Sequence, residues 1–101
     1  MATFYELPVI DAPRQRWNCV LNGRRCEFDL AYNPTTQRWS FDLRVDDTLV
    51  LAGRRIVTGI DLLQPFDFGI GRLIAWSMEK GAEPGRTELP SGRVRLFNVV
   101  D

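Results

Sequence analysis

The chain has 101 residues, 45% of them apolar and 26% charged, and its 13 Lys+Arg are balanced by 13 Asp+Glu. That length fits one domain with a core of its own, and those proportions speak against wholesale disorder and against a membrane protein. A zero net charge also disfavours nucleic acid as a partner, because phosphate binding draws on a basic excess.

Of the 13 basic residues only Lys80 is lysine. Arginine is enriched and lysine depleted at protein interfaces, where the planar guanidinium forms bidentate contacts. A GC-rich genome produces the same bias with no structural cause, so both origins stay open.

In chain order, residues 3–9 form a short extended segment ended by Pro8 and Pro13. Proline lacks a ladder donor, so residues 1–12 read as an edge strand of the domain's own sheet or as an arm that docks on a neighbour. The start, MATFYELPVID, has neither a basic region nor an apolar run, so an export signal is not expected and synthesis in the cytoplasm is.

Residues 14–47 carry the clearest pattern. Asn22-Gly23 between two alternating runs is the preferred pair for a two-residue type I′ hairpin, in which both central residues take positive φ. Leu21 then faces Arg24, and pairing continues through Val20/Arg25, Cys19/Cys26, Asn18/Glu27, Trp17/Phe28 and Arg16/Asp29. A four-residue loop at Pro34-Thr35-Thr36-Gln37 sets Asn33 opposite Arg38, then Tyr32/Trp39, Leu30/Phe41, Phe28/Leu43 and Cys26/Val45. Both turns place the same residues inward, which is how a sheet that covers a core is specified. The predicted three-stranded meander has an inner row of Trp17, Cys19, Leu21, Cys26, Phe28, Leu30, Phe41 and Leu43. Its outer face carries Arg16, Glu27, Asp29, Asp42 and Arg44. Asp29 opposes Asp42 there, with Arg16 on the far side of Asp29 and Arg44 facing Glu27. This mixed ladder is either a solvated face or an ordered contact surface.

Asp46-Asp47 makes the next turn, followed by a strand over residues 48–52, a break at Gly53-Arg54-Arg55 and a second run over 55–59. Gln64-Pro65 ends any regular element, and Gly69 and Gly71 bend the passage before a strand over residues 72–79. Residues 80–92, KGAEPGRTELPSG, read as an exposed loop, and residues 93–100 as the last strand. Short strands, frequent turns and no amphipathic helix predict an all-β fold, a small antiparallel β-sandwich or barrel built on the meander, as one domain over residues 1–101. Trp17, Trp39 and Trp76 each lie in phase with apolar neighbours and are expected in the core.

Chemistry is sparse. The absence of histidine removes Ser-His-Asp and Cys-His arrangements and His-ligated metals, and two cysteines cannot make a four-ligand zinc site. Cys19 and Cys26 stand at a spacing that permits a bridge, but free buried thiols are the favoured reading for a chain made in the cytoplasm. Gly69-Ile70-Gly71-Arg72 precedes a strand rather than a helix, so it lacks the context of a phosphate loop. No catalytic residue, cofactor or metal is expected.

Leu7-Pro8, Gln15-Arg16-Trp17, Leu21-Asn22-Gly23-Arg24, Tyr32-Asn33 with Arg38-Trp39, Asp42-Leu43, residues 56–63 (IVTGIDLL) and Val94-Arg95-Leu96-Phe97 together resemble a family of small tailed-phage baseplate proteins, the plug-type proteins of cyanophage-like contractile tails. The resemblance spans nearly the whole chain except residues 80–92, and the cysteines lie outside it. It implies a non-enzymatic structural part of a phage or prophage tail baseplate, near the central hub or tube end, located in the virion. Other tail or baseplate proteins would be its partners, with a homo-oligomer in the assembled tail also open. The expected contact residues are Arg16, Asp29, Asp42 and Arg44, with the N-terminal arm and residues 80–92. The alternative is a stand-alone β-barrel binding module that holds an oligonucleotide or carbohydrate on exposed tryptophans.

Overall fold

A computed structural model describes residues 3–100, so residues 1 and 2 of the expected arm lie outside the described residues. Seven strands form two antiparallel sheets: a four-stranded sheet in the order β2-β3-β4-β5 and a three-stranded sheet in the order β1-β7-β6. The strands are β1 (Thr3–Glu6), β2 (Arg14–Leu21), β3 (Arg24–Asn33), β4 (Arg38–Val45), β5 (Thr48–Arg55), β6 (Arg72–Ser77) and β7 (Val94–Val100). No barrel closes, which settles the choice between sandwich and barrel.

The meander pairs as turn chemistry dictates, from Arg16↔Asp29 through Leu21↔Arg24 on one side and from Asn33↔Arg38 to Cys26↔Val45 on the other. Asn22 and Gly23 take φ of 52° and 79°, the left-handed pair a type I′ turn requires. At the opposite end the Asn33 side-chain oxygen accepts the Thr35 N–H at 2.9 Å and closes that loop. Asp46 and Asp47 form the next turn with φ of 50° and 68°.

Gly53 does not break the following strand: β5 runs on to Arg55. The register shifts around Leu43, Gly53 takes φ 66°, and its N–H donates to an Asp42 carboxylate oxygen at 2.7 Å. A bulge absorbs the glycine, which alternation alone reads as an end.

Residues 56–71 cross from one sheet to the other. Thr58 bridges Ala75 and Asp61 bridges Ile74, so this crossing covers the free edge of β6. One Asp61 carboxylate oxygen accepts the N–H groups of Leu63 and Leu73 at 3.0 and 3.1 Å, and Leu62 and Leu63 are buried beneath. Both sheets turn apolar rows inward: Phe28, Leu30, Phe41 and Leu43 from one, Leu73, Ala75, Val94 and Leu96 from the other, all in a single cluster.

Residues 80–92 are more than an exposed loop. They contain α1 (Glu88–Ser91), a single turn that buries Leu89, and the Gly85 carbonyl accepts the indole N–H of buried Trp39 at 2.8 Å. The apolar strand over residues 72–79 is shorter than expected, ending at Ser77. β1 is an edge strand of the domain's own sheet, pairing Thr3↔Val100 through Glu6↔Phe97, rather than a free arm.

Candidate functional site

Each sheet has an outer face turned away from the core. On the four-stranded sheet, alternation turns Arg16, Glu27, Asp29, Asp42 and Arg44 away from the core. Arg16 reaches Asp29 at 3.1 Å and Glu27 at 3.7 Å, and Arg44 reaches Glu27 at 3.5 Å. Arg14 adds a fourth contact, to Asp29 at 3.9 Å. The Asp29 hydrogen bond, helped by the charges of Glu27 and Asp29, raises the Arg16 pKa above its ordinary value.

The structure thus joins Arg16, Asp29 and Arg44 in one ladder through Glu27, a member of the ladder that links the two arginines. Asp42 stands opposite Asp29 in register but turns to the Gly53 N–H instead. That bond relieves the like-charge pairing expected at this position. Carboxylates and guanidiniums are matched along the strip, which makes it a polar surface rather than a strongly charged one.

The outer face of the three-stranded sheet differs in kind. Phe4, Trp76 and Met78 are 60%, 53% and 44% exposed. With half-buried Ile74 and Phe97 and buried Val99 they line a groove of about 570 Å³, in which Arg72 is the one charged member. Phe4 and Phe97 meet edge to face at 6.1 Å. Ion pairs of both signs stand at or beside the strand ends, Arg95–Glu6 at 3.2 Å and Arg93–Glu79 at 3.9 Å.

Trp76 therefore lies outside the core, contrary to expectation. In β6 the residues Leu73 and Ala75 point inward, while Ile74 and Trp76 point outward with Met78 just beyond. Both rows are apolar, so phase alone does not tell which is buried. The available signal was the pairing with β7, whose Val94, Leu96 and Asn98 form the inner row. Trp39 is fully buried and Trp17 is half-buried at 4.9 Å from Phe28, as expected of core residues.

Cys19 and Cys26 are free. Burial pushes the Cys19 thiol up and the Cys26 thiol up to about 11, away from the thiolate that reactive cysteines use. Among the described residues no group of three or more Cys, Asp or Glu is placed to hold a metal ion. No helix among them is long and apolar enough to cross a membrane.

No curated protein matches the chain. A family model described as cyanophage baseplate Pam3 plug gp18 matches residues 4–101, which takes in both sheets, the crossing and the 80–92 segment. The two-sheet scaffold with its apolar and ion-paired outer faces thus belongs to a chain that is a member of the cyanophage baseplate Pam3 plug gp18 family.

Proposed function

We propose that this baseplate protein is a non-enzymatic structural part seated near the central hub or tube end of the tail, held there by both outer faces. The observation that carries the reading is the apolar groove around Phe4, Trp76 and Phe97. Large apolar side chains gathered on one outer face, with mixed charges at its rim, are the anatomy of a protein–protein contact. Its occupant is a neighbouring tail or baseplate protein, because the family is one of baseplate plugs. The ladder of Arg16, Asp29 and Arg44, with Asp42 beside it, supplies a second contact whose paired charges select partner and register more than they add affinity.

An oligonucleotide or sugar module is less well supported. Such a site needs aromatics beside several basic or hydrogen-bonding groups, and the groove that holds Trp76 with Phe4, Ile74, Met78 and Phe97 has Arg72 as its one charged member.

The test is incorporation into virions. Phage carrying Trp76→Glu together with Phe4→Ser are expected to yield tails depleted of the protein by quantitative mass spectrometry, while the isolated variant melts close to the parent. Normal incorporation of that variant would rule out the apolar face as the contact. Arg16→Glu with Arg44→Glu examines the charged face in the same assay, and electron microscopy of the tail locates the protein along its axis.

A further inference from the structure

Four strands lie at sheet edges, and three of them carry a device that discourages further pairing. β1 is only four residues long, β5 is bulged opposite Leu43 on either side of Leu51, and β6 is covered by the bridges from Thr58 and Asp61. β2 has none of these. It runs eight residues in unbroken register with β3, with neither proline nor glycine inside it.

Its backbone is set for another strand. Leu21 and Arg24 flank a two-residue turn, so Leu21, Cys19, Trp17 and Gln15 exchange the ladder bonds with β3. The N–H and C=O groups of Arg16, Asn18 and Val20 point out from the open edge. Among the described residues no other backbone hydrogen bond reaches them. Val20 is 67% exposed on this edge, and beside it a cleft of about 420 Å³ opens between β1 and β2, lined by Tyr5, Leu7, Cys19 and Leu21.

We infer that β2 pairs antiparallel with β2 of a second copy of this chain, about a twofold axis at Asn18, joining two four-stranded sheets into one of eight. Charge placement selects this arrangement. Arg14 and Arg16 occupy one half of the strand and Val20 the other, so antiparallel pairing centred on Asn18 sets each Arg16 against the partner's Val20. The arginine stem then covers the exposed valine while its head stays on Asp29. Registers displaced toward the start of β2 oppose Arg16 to Arg16 or to Arg14 and are repelled. At the axis the two Asn18 carboxamides, each both donor and acceptor, face one another. Such an isologous contact closes on itself and stops at two copies.

The contact belongs to the chain alone, so purified protein tests it with no other tail component, and its failure leaves the baseplate reading standing. Sedimentation equilibrium from micromolar to millimolar concentration is expected to show a monomer–dimer equilibrium. Val20→Lys, which sets like charges against Arg16 of the second copy, should weaken it, and Val20→Glu should strengthen it. Each pair occurs twice by symmetry, so each Kd should move roughly 3- to 30-fold, in opposite directions. Asn18→Pro removes an outward N–H that β3 does not use, so it should abolish the dimer with the circular dichroism spectrum retained. A monomer at every concentration, a dimer indifferent to Asn18→Pro, or Val20→Lys and Val20→Glu acting in the same direction would each overturn the inference.

Discussion

Gln15 lies in the inner row of β2, where alternation demands an apolar side chain, and it is buried all the same. Its carboxamide is fully used: the oxygen accepts from the Ile10 N–H and the Trp17 indole at 2.9 and 3.0 Å, and the amide donates to the Ile10 and Ala12 carbonyls at 2.8 and 3.0 Å. One side chain thereby ties the β1–β2 connection to the meander. Gln15→Leu removes those bonds without removing bulk and leaves several polar groups short of partners, so a loss of about 2–4 kcal/mol is expected in urea unfolding. Cys26 makes a pH-dependent contribution. Its thiol ionises near 11 in the fold against an ordinary value of 9.0, so between those limits the folded state holds more protons than the unfolded state. The stabilisation is complete below pH 9 and is lost as pH rises toward 11. Equilibrium unfolding across that window should show stability falling in the parent and falling less in Cys26→Ala.

At the scale of elements, what could be read from the residues depended on whether two signals met. The meander was legible because turn chemistry at Asn22-Gly23 and at Pro34–Gln37 independently demanded one register. β6 was legible as a strand but not in orientation, since Ile74 and Trp76 are as apolar as Leu73 and Ala75. The helical turn at Glu88–Ser91 is too short for a periodic signature, and Leu89 gains its burial from a chain reversal at Gly92, where φ is 89°. Alternation alone puts Asp42 in the charge ladder, because a bulge partner on β5 cannot be inferred from its own strand. The glycines separate two effects that sequence merges. Gly53 and Gly71 both have positive φ, but a Cβ on Gly53 meets open space, whereas on Gly71 it stands 2.5 Å from the Val99 carbonyl oxygen. Thermal unfolding should therefore show Gly53→Ala costing about 1–2 kcal/mol, the left-handed penalty alone, and Gly71→Ala distinctly more as β7 is pushed away.

Across the whole molecule, neutrality is achieved by local pairing: most charges on the outer surfaces are matched by a neighbour, and apolar side chains concentrate on the three-stranded sheet. The three tryptophans report on that division. Acrylamide should quench one component strongly, from Trp76, and leave Trp39 shielded behind residues 80–92; Trp76→Phe should remove the quenchable component. Equal quenching of all three indoles would contradict the burial described.

The pairing of β1 with β7 places Thr3 beside Val100 and Phe4 beside Val99. The meander is built from neighbouring hairpins and can form as soon as residues 14–55 have left the ribosome. The three-stranded sheet cannot, because its central strand, β7, comes after the six other described strands in the chain. The groove around Phe4 and Trp76 therefore comes into being only once β7 has been made. A chain cut short before β7 has no such groove to offer, however complete its meander.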